Sequence, residues 1–156
     1  MGFRGAPVFR GVTPLNLDAK GRMAMPARYR ERLEKSCGGQ LILTLNQEDR
    51  CLWLYPLPEW EEIERKLTEL SSFDRHTMRL KRLLIGHASE CDLDSAGRIL
   101  MPVVLRQLAG IERSLVLLGQ GNKFEVWDAA SYERKVSDWL SEDLGEASEA
   151  VKSLSL

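Results

Sequence analysis

Apolar residues in the first half of the chain recur with two periods, which predict short strands and amphipathic helices. In chain order the predicted elements are strand 12–17, strand 22–26, helix 27–35, strand 41–47, strand 50–56 and a helix that begins near Trp60. In that last helix Trp60, Ile63, Leu67 and Leu70 fall three and four residues apart, which produces one apolar stripe. This order predicts the α+β class, with one β-β-α-β-β-α unit in the first half.

The second half repeats the order, and an additional helix separates the halves. Its predicted elements are strand 90–94, strand 98–102, helix 103–109, strand 114–120, strand 124–128 and a helix that contains Tyr132, Val136, Trp139 and Leu140. Residues 74–86 predict the connecting helix, with Met78 and Leu84 or Ile85 on its buried side. Because a unit of about 75 residues is marginally stable alone, we expect the halves to pack together as an internal pseudo-dimer.

The similarity of the halves is also visible in their letters, since LDAKGRMAMP at 17–26 returns as LDSAGRILMP at 93–102. The residues that recur at an offset of 76 are Asp18, Gly21, Arg22, Met25, Pro26 and Arg30. Farther along, LILTL at 41–45 matches LVLLG at 115–119, and Trp53 matches Trp127, both at an offset of 74. A pattern shared over about 70 residues indicates two copies of one supersecondary unit.

Each repeated decamer contains a tight turn between two predicted strands. Asp18 suits the start of such a turn, because its carboxylate accepts backbone N–H groups two residues on. Gly21 supplies the positive φ that hairpin loops commonly need near their end. Asp94 and Gly97 take the same places in the second copy. We therefore interpret these four residues as structural.

Composition indicates an ordinary soluble globular protein, with 29% charged and 44% hydrophobic residues. No apolar run approaches the roughly 20 residues that a membrane helix needs, and the N-terminus lacks the apolar core of a signal peptide. A cytoplasmic location without a membrane partner is therefore expected. Three scattered cysteines fit that compartment, since an odd number is a poor disulfide framework.

The net charge of −1 hides an uneven distribution. Residues 1–36 contain eight Lys/Arg and three Asp/Glu, whereas residues 137–156 contain one lysine and five Asp/Glu. A basic front of this kind is compatible with a phosphate-facing surface, and equally with charged residues that are simply solvated.

The patterns typical of enzymes and of metal or cofactor sites are missing from the sequence. A thiol–imidazole pair of Cys91 with His87 is conceivable, but a buried thiol and a surface histidine are the simpler interpretation. Cys37, Cys51, His87 and Cys91 lack the close paired spacing of structural zinc sites. No glycine pattern of a nucleotide-binding loop occurs. We expect no catalysis, no metal, no cofactor and no small-molecule substrate.

Several stretches resemble the MraZ family of bacterial transcriptional regulators. They are FRG at 9–11, LDAKGR at 17–22, YPLPEWE at 55–61, LLIGHASEC at 83–91 and LDSAGR at 93–98. The resemblance implies an AbrB-like fold in which hairpins interleave between two half-units, so that one chain forms a swapped-hairpin pseudo-dimer. It also implies that subunits associate into a ring.

The function implied by the resemblance is sequence-specific binding of double-stranded DNA. The family binds direct repeats in the promoter of its own operon, in the division and cell-wall gene cluster, and usually represses it. A protein of this kind is expected in the cytoplasm, associated with the nucleoid. The alternative is a non-enzymatic scaffold, such as an AbrB-like antitoxin that grips a partner protein. The duplicated hairpins and Trp60, which simple antitoxins lack, favour the first reading.

The resemblance begins at Phe9, so residues 1–8 are interpreted as an N-terminal extension, and no function is assigned to Arg4. The predicted boundaries are residues 9–72 for the first repeat, 73–87 for the connecting helix, 88–144 for the second repeat and 145–156 for a C-terminal tail. The tail mixes acidic and small residues with little periodicity. It is interpreted as frayed, or else as a segment that competes with DNA or packs on a neighbouring subunit.

The candidate DNA-binding residues lie mostly in and after the first turn. Asp18 and Arg22 are expected to form a structural clasp through a bidentate bond, and Arg22 has spare donors for a phosphate or a guanine edge. Lys20, at the tip of the turn, is assigned to DNA by the resemblance. Asp94 and Arg98 repeat the clasp, but Ala96 replaces the lysine, so the first loop is expected to dominate recognition.

Arg28, Arg30 and Arg32 alternate along the short helix and therefore do not share one helical face. Arg30 recurs as Arg106, which favours a structural role, for instance between the halves. Arg28 is the better auxiliary phosphate contact. Arg10, beside the first strand, is a further candidate.

Overall fold

The computed structural model describes residues 7–156, and the interpretation of residues 1–6, including Arg4, lies outside this range. The strands are β1 (Phe9–Asn16), β2 (Arg22–Ala24), β3 (Leu41–Leu45), β4 (Leu52–Pro56), β5 (Ser89–Glu90), β6 (Arg98–Leu100), β7 (Ser114–Gly121) and β8 (Phe124–Asp128). The helices are α1 (Ala27–Cys37), α2 (Leu57–Glu69), α3 (Arg75–Leu80), α4 (Val103–Ala109), α5 (Ala129–Ser141) and α6 (Glu149–Lys152). A π-helical turn, Lys81–Ile85, continues α3. The α+β class is confirmed.

The strands form two antiparallel sheets whose pairing crosses between the halves. The larger sheet has the order β1-β7-β8-β4-β3-β5, and the smaller one pairs β2 with β6. β1 therefore pairs with a strand of the second half and β5 with a strand of the first. Within the decamers the flanking strands meet only at the turn, where the Asp18 N–H donates to the Arg22 carbonyl over 3.0 Å. The hairpins are interleaved, as the resemblance implied.

The pairing registers define a pseudo-twofold axis that relates the halves. In the small sheet the axis passes between Met23 and Ile99, which are cross-strand partners and occupy equivalent places in the repeat. In the large sheet it passes between Trp53 and Glu125, at the centre of the β4–β8 pair. Both sheets thus share one axis, and the tandem repeat is an internal pseudo-dimer.

The predicted match between Trp53 and Trp127 is wrong by two residues. Six residues (46–51) separate the pair Leu45–Leu52, whereas four (120–123) separate the pair Gly119–Phe124. From β4 onward the offset is therefore 72, which aligns Tyr55 with Trp127 and Trp53 with Glu125. A shortened hairpin loop explains the change, because removing two residues preserves the inward and outward alternation of a strand.

Glu125 breaks the symmetry at the axis. Only 6% of this residue is exposed, yet its carboxylate accepts two indole N–H bonds, from Trp53 and from Trp127, each over 3.0 Å. A buried carboxylate is tolerated when its oxygens are satisfied in this way. Glu125 therefore ties a strand of the first half to a strand of the second.

The main core lies between the inner face of the large sheet and the layer formed by β2, β6, α1 and α4. Both halves contribute to it in equivalent pairs, such as Leu41 with Leu115 and Met25 with Met101, and all four residues are fully buried. Burial of one such side chain stabilises the fold by about 1.5–3 kcal/mol. Neither half contains this core alone.

The outer face of the large sheet carries α2, the connecting helix and α5. The predicted helix over 74–86 is split into α3 and the π-helical turn, with Leu84 buried and Met78 half-buried. The hydroxyl of buried Thr44 donates to the Leu84 carbonyl over 2.6 Å, which fastens the turn to β3. The strand predicted at 90–94 is shorter than expected, although the N–H groups of Cys91 and Leu93 continue the pairing as isolated bonds.

Two arginines cross between the halves beneath the repeated turns. The Arg30 guanidinium lies against Gly97 and donates to the Met25 carbonyl over 3.0 Å. Its equivalent Arg106 lies against Gly21 and donates to the Met101 carbonyl over 3.1 Å. Gly97 and Gly21 have φ of 76° and 82°, so they supply both the turn conformation and the space for the partner arginine. The contacts agree with a structural role for Arg30.

We expect Gly97→Ala to reduce the free energy of unfolding by more than Gly121→Ala. Both glycines have positive φ, 76° and 79°, so each substitution costs about 1–2 kcal/mol of backbone strain. A Cβ at Gly97 would also overlap the Arg30 guanidinium, whereas a Cβ at Gly121 meets nothing within 4 Å. Equal losses in urea denaturation would show that the arginine contact adds nothing.

Candidate nucleic-acid interface

The first repeated turn is held by one carboxylate. Asp18 Oδ1 accepts the backbone N–H groups of Lys20 and Arg22, each over 2.9 Å. Asp18 Oδ2 accepts the Arg22 Nε–H over 2.8 Å. The carboxylate thus satisfies the turn and orients the arginine at the same time, which is the predicted clasp, with a single guanidinium nitrogen as donor instead of two.

The second turn repeats this geometry. Asp94 Oδ1 accepts the backbone N–H groups of Ala96 and Arg98 over 2.9 Å, and Asp94 Oδ2 accepts the Arg98 Nε–H over 3.1 Å. The equivalence follows from the sequence, because Asp and Gly stand at the same places in both turns. Both clasps therefore come from local turn chemistry.

Hydrogen bonding holds the pKa of both carboxyls below its usual value. For Asp18 the largest cause is the backbone N–H of Arg22, assisted by the Arg22 side chain and the Lys20 N–H and opposed by desolvation. For Asp94 it is the backbone N–H of Arg98, assisted by the Ala96 N–H and the Arg98 side chain and likewise opposed by desolvation. Hydrogen bonds donated to an ionised carboxylate stabilise the ionised form. Both aspartates are therefore ionised at neutral pH.

Pairing of β2 with β6 brings the two turns together on one surface. The Arg98 guanidinium lies 3.9 Å from the Asp18 carboxylate, which links one turn to the other. The Arg22 and Arg98 side chains are 26% and 34% exposed, so each guanidinium reaches solvent while its Nε is held. The four clasp residues form one nearly neutral, ordered group of charges.

Lys20 gives this surface a net positive charge. It is exposed at the tip of the first turn, and its side chain forms no ion pair within residues 7–156. The equivalent residue of the second turn is Ala96. The positive charge is therefore concentrated on the first turn.

Arg28 and Arg10 do not join the loops. Arg28 donates to the Thr13 hydroxyl and lies over the Tyr29 ring, 4.5 Å from its centroid. Arg10 is exposed on β1 next to buried Phe9, and alternation along the strand therefore places its side chain on the outer face of the sheet. Its carbonyl accepts the Tyr29 hydroxyl. These two candidates border β1, at a distance from the turns.

One basic helix, on the side of the protein opposite the turns, was not predicted from the sequence. Arg75, Arg79 and Arg82 fall four and three residues apart and line one depression together with His76. The spacing was the available signal, since residues at i, i+4 and i+7 share a helical face. The helix packs on the outer face of the sheet, whereas the turns lie on the inner side.

The cysteine and histidine candidates are dispersed. Cys91 lies in the main core, where burial raises the pKa of its thiol to about 12, the opposite of an activated nucleophile. Cys51 lies in a separate cluster beside Trp127. Among the described residues, no three His, Cys, Asp or Glu side chains are placed to hold a metal ion. No helix of residues 7–156 is long and apolar enough to cross a membrane.

We expect the double variant Asp18→Asn/Asp94→Asn to have a lower melting temperature than the wild type at pH 7. The lowered pKa of each carboxyl means that the clasps contribute stability above the ordinary carboxyl pKa, around 3.9. That stability is lost as the pH falls through the folded-state pKa. The difference in melting temperature between variant and wild type should therefore shrink as the pH is lowered from about 5 towards 2.

Glu133→Gln, an exposed substitution on α5, serves as the control and should leave the pH profile unchanged. A double variant that melts like the wild type at pH 7, or that changes DNA affinity while melting normally, would contradict the clasp.

The repeated architecture matches a known protein family. Residues 8–83 and 84–153 each match the family described as "MraZ protein, putative antitoxin-like". The two matches meet between Leu83 and Leu84, within the π-helical turn.

Individual relatives extend this similarity along nearly the whole chain. A protein of Halorhodospira halophila, named transcriptional regulator MraZ, is 56% identical over 135 residues, or 86% of this chain and 89% of that protein. Proteins of the same name from Thioalkalivibrio sulfidiphilus and Klebsiella pneumoniae subsp. pneumoniae are 52% and 50% identical, over 96% of this chain and 100% of each relative. The chain belongs to the MraZ family.

Proposed function

We propose that this protein is a sequence-specific DNA-binding transcriptional regulator that represses its own operon. Its target is a set of direct repeats in the promoter of the division and cell-wall gene cluster. The observation that carries the proposal is the pair of clasped turns, held side by side by β2 and β6 and tipped by the unpaired Lys20. The names of the relatives support the regulatory role.

The clasps prepare the arginines for recognition. In each turn the aspartate holds the guanidinium Nε, which leaves the two Nη groups to donate to a phosphate or to a guanine O6 and N7 edge. An arginine that is ordered before binding loses less conformational entropy on the duplex. Arg22 and Arg98 are thus positioned base or phosphate contacts, and the aspartates act only through them.

Lys20 provides attraction to the backbone. A compact ammonium at the exposed tip of a rigid turn contacts a phosphate as a point charge. Because Ala96 offers no such charge, the first turn dominates the electrostatic contact and the second mainly supports it. Arg28 is proposed as an auxiliary phosphate contact beside β1. Arg10 is a weaker candidate for DNA contact, because its side chain lies on the face of the large sheet opposite the turns.

Several subunits are proposed to bind several repeats. Association into a ring presents one pair of turns per subunit, so that weak single contacts add through effective concentration. The protein acts in the cytoplasm on nucleoid DNA under this proposal, without cofactor or small-molecule substrate.

The family description favours one alternative, a scaffold of antitoxin type that grips a partner protein. A gel-shift assay on the promoter of the protein's own operon separates the two functions. The regulator shifts the fragment with direct repeats at protein concentrations that leave a shuffled fragment free, whereas a scaffold shows no preference.

We expect Lys20→Ala to weaken binding to the repeat fragment and to reduce the salt slope, d log K/d log[salt], by about 0.9, the value for one phosphate contact. The measurement is fluorescence anisotropy between about 50 and 200 mM salt.

Ala96→Lys is the matched variant, because it installs the missing lysine in the equivalent turn. If the second turn also faces the duplex, this substitution should increase the slope by a similar amount. A slope that Lys20→Ala leaves unchanged removes Lys20 from the contacts with phosphate. Both variants should melt like the wild type, since neither side chain takes part in a clasp.

A further inference from the structure

The outer face of the small sheet carries both clasped arginines. Met23 and Ile99 are cross-strand partners and fully buried, so they point into the main core. Alternation along a strand turns the neighbouring residues to the opposite face. These residues are Arg22, Ala24, Arg98 and Leu100. The face is therefore a two-stranded antiparallel ribbon with one arginine on each strand.

The register of the ribbon gives the two arginines different neighbours. Leu100 is the cross-strand partner of Arg22, and Ala24 is the partner of Arg98. Side chains directly opposite each other have Cβ atoms about 4.5–5.5 Å apart. Arg22 therefore has a large apolar neighbour, whereas Arg98 has only a methyl group beside it.

The size of Leu100 is not explained by the fold. The side chain is 58% exposed, and its counterpart at the offset of 76 is Ala24, which supports the same strand pairing. A lone exposed leucine is common on protein surfaces. The importance of this leucine therefore comes from its place beside Arg22.

The differences between the two turns fall on one side of the ribbon. Lys20 belongs to the turn of Arg22, and the other turn has Ala96 at this place. Because the strands are exchanged, Leu100 of the second half joins the lysine of the first half. The Arg22 side presents Lys20, Arg22 and Leu100, and the Arg98 side presents Ala96, Arg98 and Ala24.

We propose that Leu100 contacts the C5-methyl group of a thymine beside the base that Arg22 binds, and that this contact fixes the orientation of the protein on each repeat. The contact deepens the proposed DNA binding and rests on it. The major groove admits a two-stranded ribbon, and among the four bases only thymine presents a methyl group there. A leucine on the outer face of such a ribbon recognises thymine through this group.

The units of a direct repeat all point in one direction, so each requires a reader with two unlike sides. A twofold-symmetric protein matches a palindrome, because both halves make the same contacts. On a direct repeat, two identical sides would bind in either orientation with equal affinity. The two clasps have the same geometry, so residues that differ between the halves set the orientation. A lysine on a phosphate carries no sequence information, whereas Leu100 reads a base.

Leu100→Ala is expected to weaken binding to a fragment with one repeat by about five- to tenfold, because less apolar surface leaves water on binding. Fluorescence anisotropy measures the affinity. The salt slope should not change, since an apolar contact releases no counterions, and this separates the variant from Lys20→Ala. Leu70→Ala, at a 45% exposed leucine at the end of α2, is the control and should bind like the wild type.

Removal of single methyl groups from the DNA identifies the partner of Leu100. Each thymine of the repeat is replaced in turn by deoxyuridine, which lacks only the methyl group. For the wild type, one replacement should weaken binding by about fourfold, the contribution of one buried methyl-sized group. For Leu100→Ala the same replacement should have no effect, because the two changes remove one contact. Equal effects at every thymine in both proteins would overturn the proposal.

Exchange of the differing residues tests the orientation. Ala24→Leu/Leu100→Ala moves the leucine to the Arg98 side and leaves the lysine behind, so binding should stay weak. Addition of Lys20→Ala/Ala96→Lys moves both to the Arg98 side, and affinity should return as the protein binds turned about its pseudo-twofold axis. All four positions are exposed, so folding should persist. A quadruple variant as weak as the double variant would contradict the role in orientation.

The outcomes separate this contact from the function on which it rests. A wild type that does not prefer the repeat fragment over a shuffled one contradicts the proposed function itself. A wild type with that preference, whose Leu100→Ala variant binds equally well, overturns only the contact with thymine. A Leu100→Ala variant with a changed oligomeric mass and no coupling to a thymine would place the leucine between subunits, which also overturns it.

Discussion

The structure depends on the exchange of strands between the halves. β1, β2 and β5 each pair with a strand from the other half, and the main core takes equivalent residues from both. A three-residue strand such as β2 has no independent stability, so it forms only when β6 is present. Folding of the two repeats is consequently a single event, and the adjacency of the two turns is its direct product.

The repeat in the sequence was sufficient to predict much of this architecture. Two copies of one unit, their internal packing and the turn chemistry of Asp18 and Gly21 all followed from recurring letters and known local preferences. The choice of pairing partners did not follow, because a period of two tells which face a residue occupies and not which strand lies beside it. That information came from the family resemblance.

Other features could not be predicted, because they depend on which residues of neighbouring strands pair with each other. The alignment of Trp127 with Tyr55 depends on a loop that is two residues shorter, which similar letters concealed. The position of Arg10 on the outer face depends on where β1 begins, and the prediction placed that strand three residues too late. The clasps were predicted, but the link from Arg98 to Asp18 required the β2–β6 pairing. The chemistry within each turn could be predicted from the sequence, whereas the contacts between the repeats could not.

The pair of residues at the pseudo-twofold axis makes the two halves specific for each other. A homodimer of two second halves would set Glu125 against Glu125, two buried like charges without the Trp53 donor. A homodimer of two first halves would set Trp53 against Trp53 and leave both indole N–H groups without that acceptor. Because this position differs between the repeats, each half is suited to face the other half and not a second copy of itself.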